Sequence, residues 1–200
     1  SRPMFEYFWM NAERVLRDPN SPLRSDELYI PVLRAALASP WLDRWERIRP
    51  EHELRLALRN RVGQPASDFR YRLASGAEGT LYGIRAEYTL LYFANPDCPM
   101  CRRLSGELLA SPLLNELTER GTLCVLAVYP DADLSAWRAR RDGMPAAWID
   151  ACDPRGVILG GELYDLRAIP SLYLLDREKC VLVKDSASVP EIERAIDRRS

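Results

Sequence analysis

Cys98 and Cys101 stand two residues apart in the run Asn95-Pro96-Asp97-Cys98-Pro99-Met100-Cys101, and their type and spacing point to one chemistry. A thiolate is a nucleophile toward a disulfide sulfur. A second thiol two residues on can close a small disulfide ring. Cys98 is therefore expected to attack a substrate disulfide and Cys101 to resolve the mixed disulfide that forms. Zinc is the other reading of such a pair, but it needs about four ligands, commonly a second Cys or His pair. The chain has a single histidine, His52, and no second pair. His52 also leaves no serine–histidine–acid constellation to build, and it reads as a surface helix residue. The other thiols are Cys124, Cys152 and Cys180. Cys124 and Cys180 fall in apolar strand patterns and read as small core residues. Cys152, in Ala151-Cys152-Asp153-Pro154, is expected on a loop, where it is the one additional thiol open to reaction. Asp131 with Asp133, and Asp150 with Asp153, look like turn and cap residues rather than paired catalytic acids.

The elements around the pair matter as much as its spacing. Residues 87–94 form a nearly continuous apolar run, rich in aromatic and β-branched types, which suits a strand buried on both faces. After the cysteines, Leu104, Leu108 and Leu109, then Leu113, Leu114 and Leu117, recur at helical spacing as far as Gly121. The pair thus lies between a buried strand and a helix. At a helix N-terminus the first sulfur meets the positive end of the macrodipole, which favours thiolate. Pro99 suits the first turn because it has no N–H to leave unpaired. Arg102 and Arg103 add positive charge nearby.

Further strands are expected over 123–129, 172–176 and 180–184, the last two as a hairpin, with Ile169-Pro170-Ser171 immediately before them. Short helices are expected over 133–141 and 190–199. Phe69, Tyr71 and Leu73 alternate with polar residues and lead to a Ser75-Gly76 turn. Residues 62–200 then read β-β-α-β-α-β-β-α, an α/β domain with a mixed central sheet flanked by helices. Residues 1–61 read as an all-α segment. Ser25-Asp26-Glu27 supplies an N-cap and a negative first turn. Leu28, Val32, Leu33, Ala36 and Leu37 follow at helical spacing, Pro31 sits in an early turn, and Ser39-Pro40 is the stop. A third helix over 51–59 groups Leu54, Ala57 and Leu58. Trp41 and Trp45 are expected to pack between helices. The cluster Met4-Phe5-Glu6-Tyr7-Phe8-Trp9 is expected to form a core, or an interface.

Composition narrows the function. Twenty-eight basic residues nearly cancel 29 acidic ones, so no overall field draws the chain to nucleic acid or an anionic membrane. No apolar run approaches the roughly 20 residues of a membrane span. No organic cofactor or metal is required, because the cysteine pair is itself the redox centre. The partners implied are protein thiols and disulfides, with another dithiol or disulfide protein to recharge the pair. Peroxide reduction is a weaker reading, since no cysteine within a Pro/Thr-containing loop is evident.

Leu90 to Cys101, LLYFANPDCPMC, resembles the strand-and-motif segment of thioredoxin-like proteins. Val62-Gly63-Gln64-Pro65-Ala66-Ser67-Asp68-Phe69 resembles the entry segment of their TlpA/ResA-like branch, and the likeness continues through Ile169-Pro170 to the end of the chain. It implies a thioredoxin-like fold, thiol–disulfide oxidoreductase activity, and an extracytoplasmic place in the cell envelope. It also implies a cis-proline loop at Ile169-Pro170, beside the sulfurs, that contacts substrate. Asp18-Pro19-Asn20-Ser21-Pro22 and Tyr29-Ile30-Pro31-Val32-Leu33 resemble the end of a helical domain of unknown function. That domain precedes thioredoxin-like domains in Bacteroidetes cell-envelope proteins, so Ser1 is expected to start partway through a longer protein. The motif departs from the family pattern. Asp97 stands where a Trp is usual, Pro99-Met100 where Gly-Pro is usual, and the strand before the motif has no acid. Asp97 is expected to raise the Cys98 pKa by like-charge repulsion. A redox-inactive binding or scaffold module, with the helical segment docking a partner, is the alternative function.

Overall fold

Ser25 leaves the loop with an extended backbone, and its side chain accepts from the Leu28 amide at 3.3 Å. That serves one of the N–H groups a helix start leaves unpaired. In the computed structural model, which describes residues 1–131, 134–139 and 144–199, three helices follow the order α1 (Arg2–Leu16), α2 (Asp26–Ala38) and α3 (Ile48–Ala57). They form the first of two compact units, Ser1–Arg61. Pro31 is the sixth residue of α2, deeper than an early turn, and the helix continues through it. Pro31 is exposed, so the N–H it lacks falls on the solvent side.

The buried seam runs between α2 and α3. Tyr29, Ile30, Leu33 and Ala36 face Pro50, Leu56 and Ala57. Glu53 lies within it at 5 % exposure. Its carboxylate accepts from the Tyr29 hydroxyl at 2.9 Å and from Arg49 Nε at 2.9 Å, and Arg17 Nε lies 3.4 Å away. A buried carboxylate persists only with partners of this kind. Several expectations for this unit fail. Leu28 and Leu58 are exposed, and Leu54 is only half-buried. Trp45 does not pack between helices, being 71 % exposed; Trp41, half-exposed, lines a groove with Phe5 and Trp9 of α1 and Val32 and Ala36 of α2. The aromatic cluster forms no core either, because α1 has no buried residue. Met4, Tyr7, Phe8 and Met10 are all more than half exposed. Three short helices enclose little volume, and the α2–α3 seam occupies it.

The second unit, Val62–Ser200, is built on one sheet. Its strands are β1 (Arg70–Leu73), β2 (Glu78–Thr80), β3 (Tyr88–Phe93), β4 (Leu123–Tyr129), β5 (Ile149–Cys152), β6 (Ser171–Leu175) and β7 (Val181–Ser186). They lie in the order β2-β1-β5-β4-β3-β6-β7. β3, β4 and β5 are parallel, and the other pairs are antiparallel. The helices are α4 (Pro99–Ala110), α5 (Pro112–Glu119), α6 (Leu134–Ala139), α7 (Val157–Gly160) and α8 (Val189–Asp197). This is a mixed sheet flanked by helices, as the α/β reading requires.

All six residues of β3 are buried. Alternation divides them between two cores. Leu90 and Tyr92 join Leu104, Leu108, Val125, Leu174 and Ile192 on one face. Leu91 and Phe93 join Phe69, Leu126, Tyr164, Tyr173 and Leu175 on the other. Each such side chain contributes about 1.5–3 kcal/mol by leaving water, which makes β3 a rigid base for whatever follows it. Gly79 in β2 is required by a close approach, since a Cβ there would meet the Tyr71 ring at 2.5 Å.

Three local expectations are corrected. The helical stretch after the cysteines is two helices, because Ser111 precedes Pro112 and adopts an extended backbone, φ −76° and ψ 113°. The residue before a proline disfavours the helical region. The short elements β2, β5 and α7 were not expected at all. Asp150 lies within β5 rather than in a turn. Of the helix expected over 133–141, residues 134–139 are helical; Asp133, Arg140 and Arg141 lie outside the described residues.

Candidate active site

The chain leaves β3 at Phe93 and turns at Asn95. The Asn95 carbonyl accepts from the Cys98 amide at 3.1 Å, and its side chain accepts from the Asp97 amide at 2.8 Å. Cys98 is then the N-cap of α4, and Pro99 lies in its first turn. The Cys101 amide donates to Cys98 Sγ at 3.3 Å. Cys98 thus holds a position that Ser, Thr or Asp usually takes, with its sulfur at the positive end of the helix. It is half-buried, whereas Cys101 is 3 % exposed. Both are thiols.

The two sulfurs differ in acidity. Burial raises the Cys98 thiol, but hydrogen bonds from the Cys101 thiol and the Cys101 and Met100 amides, with the Arg102 charge, outweigh it. The net shift is downward, against the rise expected from Asp97. Cys101 is pushed up to about 12, chiefly by burial. Its sulfur accepts from the Asn95 amide at 3.5 Å. A nucleophile needs the first of these environments, and a thiol held in reserve has the second.

Ile169 and Pro170 come to the same place from 70 residues away. The Cys98 thiol faces the Ile169 carbonyl at 3.6 Å, and the Ile169–Pro170 peptide is cis. Met100 is 49 % exposed beside the pair. Arg102 turns back to donate to the Pro96 carbonyl at 3.3 Å, whereas Arg103 pairs with Glu107 on the surface.

Two residues near Cys101 carried no signal in the spacing. The Tyr92 hydroxyl donates to the Cys101 carbonyl at 2.6 Å and shares a 2.9 Å hydrogen bond with Ser105 Oγ. A cavity of about 560 Å3 opens there, with Tyr92, Cys101, Ser105, Trp137 and Asp150 in its wall. Asp150 accepts from Trp137 Nε1 at 2.8 Å.

The remaining candidates are elsewhere. Cys152 is no loop thiol: it ends β5 with no exposed surface, and burial raises its pKa. Cys124 is half-buried in β4, and burial raises it too. Cys180 is half-buried just before β7. Asp153 lies just before α7, whose N-cap is Gly156, and its carboxylate accepts from the Ile158 amide at 2.7 Å. His52 lies half-exposed on α3. Among the described residues no three His, Cys, Asp or Glu side chains gather as a metal would require.

Residues 1–60 match the family model of a domain of unknown function, DUF5106. No curated protein matches the chain. Solved structures do. A thioredoxin-like protein from Bacteroides caccae is 42 % identical, with a TM-score of 0.97, and the match covers 100 % of this chain and 72 % of that one. The C-terminal domain of an uncharacterized protein from Bacteroides fragilis is 44 % identical, with a TM-score of 0.67, over 69 % of this chain and 98 % of that one. The thioredoxin domain of a thiol-disulfide oxidoreductase from Bacteroides vulgatus shares the fold at 18 % identity and a TM-score of 0.59, over 70 % of this chain and 97 % of that one. A mixed sheet with a dithiol motif capping the helix after its buried strand β3, together with a likeness over the whole of this chain at 42 % identity, establishes that the chain belongs to the thioredoxin-like proteins.

Proposed function

We propose that this protein exchanges thiols and disulfides with other proteins through Cys98 and Cys101. The observation that carries the proposal is the contrast between the two sulfurs: Cys98 caps α4 with a lowered pKa, and Cys101 lies buried behind it with a raised one. The Cys98 thiolate attacks a substrate disulfide. One substrate sulfur leaves as a thiolate, and the other stays bonded to Cys98. Cys101 then loses its proton and attacks the Cys98 sulfur. The second substrate thiolate leaves, and a Cys98–Cys101 disulfide remains. Two electrons pass to the substrate, and an external dithiol protein returns them. Ile169 and Pro170 form the edge against which the substrate lies, and Pro99 and Met100 are the motif residues that follow Cys98 in the first turn of α4. The direction proposed is that of a reductant or isomerase.

The thioredoxin domain of the Bacteroides vulgatus oxidoreductase supports this reading at the level of fold. Placement in the cell envelope belongs to the same proposal and is supported by the resemblance of the 62–69 segment to the ResA-like branch. Residues 62–200 are proposed as the domain that carries the chemistry.

The test is the equilibrium reduction potential of the pair in glutathione or dithiothreitol buffers, with Cys98→Ser as the control. A reversible two-electron transition near about −270 mV is expected for a reductant, and one near about −120 mV marks an oxidant instead. Absence of a transition, or its survival in Cys98→Ser, removes the enzyme reading and leaves the binding-module alternative.

A further inference from the structure

A buried ionic cluster brackets Ile169–Pro170, and no step of the exchange uses it. Arg167 precedes Ile169 by two residues, and Ser171 follows Pro170. Both reach Asp185 on β7. The Ser171 hydroxyl donates to Asp185 Oδ1 at 2.8 Å, and Arg167 Nη2 lies 3.3 Å from Asp185 Oδ2. Arg167 Nε also lies 3.2 Å from Asp165 Oδ2. The side chains of Arg167, Asp165 and Asp185 are 11 %, 7 % and 5 % exposed.

Asp185 has a positive φ of 51°, and the β6–β7 register shifts between Leu172↔Ser186 and Leu174↔Val183. A non-glycine residue keeps the left-handed conformation only where its contacts over-determine it. Here those contacts include Ser171 and Arg167, one from each flank of the same dipeptide. At the other end of that dipeptide's reach, the Ile169 carbonyl faces Cys98 Sγ at 3.6 Å.

We propose that Asp185 is a positioning residue for Cys98: it ties both flanks of Ile169–Pro170 to β7 and so holds the Ile169 carbonyl against the sulfur. The inference rests on the thiol–disulfide exchange reading. Its consequence follows from charge. A carbonyl that accepts from S–H favours the thiol over the thiolate. The Cys101 thiol, the Cys101 and Met100 amides and Arg102 act in the opposite sense. Loosening the segment withdraws the carbonyl, so the thiolate forms at lower pH. A protein substrate then meets a displaced edge beside a more acidic sulfur. The two effects oppose each other, one on a small alkylating reagent and one on a protein disulfide, and general destabilisation instead moves the alkylation profile toward the free-thiol value, to higher pH.

The experiment uses the full chain with Asp185→Asn, which keeps the shape but removes the charge opposite Arg167. Ser171→Ala, which cuts the other tie and leaves the ion pair, is the second variant. Alkylation of reduced Cys98 by iodoacetamide is followed across the thiol titration by peptide mass spectrometry, and insulin reduction is measured alongside. The expected result is an alkylation profile displaced to lower pH by about half a unit, hence about threefold faster alkylation below the midpoint. Insulin reduction is expected to slow, mainly through a higher KM. A folded variant whose alkylation profile superimposes on that of the unchanged protein overturns the proposal. So does failure of both variants to fold, which makes the cluster purely structural. If only Ser171→Ala folds, its profile decides. The parent reading fails by a different result, absence of a reversible Cys98–Cys101 transition in the unchanged protein, and the alkylation profile does not depend on turnover.

Discussion

Cys98 and Cys101 are the same residue type two positions apart, and the structure gives them opposite acidities. Cys98 receives hydrogen bonds at a helix start, and Cys101 is shut away from solvent. Alkylation of Cys98 is therefore expected to rise with pH to half its maximum below the free-thiol value of about 8.5. Cys101 is expected to stay unmodified over that range, as peptide mass spectrometry will read. The lowered Cys98 pKa also stabilises the reduced folded protein above the unfolded thiol pKa, and that contribution is lost as pH falls through the folded value. Cys101→Ser is expected to leave the attack intact but block resolution, so a mixed disulfide with a protein substrate should accumulate on non-reducing gels. A variant that turns over substrate normally excludes Cys101 as the resolving thiol. The motif was legible at this scale because its chemistry is encoded in spacing. The burial of Cys152 was not, because Asp153-Pro154 beside it resembles a turn while β5 pairs its backbone with β4.

Elements built from strong local preference were legible too. β3 and β4 are nearly continuous apolar runs, and the strand expected over 123–129 matches β4 residue for residue. β2 and β5 are three and four residues long and contain Gly79 and Asp150, so pairing with neighbours makes them strands. Ser111 illustrates how one residue serves two elements. It ends α4, starts α5 by accepting from the Leu114 amide at 3.2 Å, and donates to Glu193 of α8 at 2.6 Å. Ser111→Ala removes a cap and leaves a carboxylate short of a donor. It is expected to cost about 2 kcal/mol in urea unfolding while leaving the Cys98 alkylation profile unchanged. A cost within error would show that Pro112 alone is enough to break the helix.

Over the whole molecule, the chain divides into the units Ser1–Arg61 and Val62–Ser200. The second holds both cores of the sheet and every residue placed at the site. A fragment of residues 62–200 is expected to fold alone and to keep the potential of the full chain within error, read by circular dichroism and thiol–disulfide equilibration. A fragment that folds but loses the transition would give the helical unit a part in the chemistry. That unit leaves Met4, Tyr7, Phe8 and Met10 more than half exposed on α1. The sequence showed an aromatic run there, but a run of apolar residues does not record whether anything covers it.

The sequence alone determined the α/β plan, the dithiol motif and its setting between a buried strand and a helix. Those features arise from neighbours within a few residues: apolar alternation, capping, and the helix end that meets the sulfur. Tertiary structure decided what depends on distant pairing. It buried Cys152 and Cys101, brought the Ile169 carbonyl to Cys98, and tied Arg167 and Ser171 to Asp185. Contacts across 71 positions of chain follow from sheet order and register; a local pattern does not carry them, and only the family resemblance placed Ile169-Pro170 beside the sulfurs in advance.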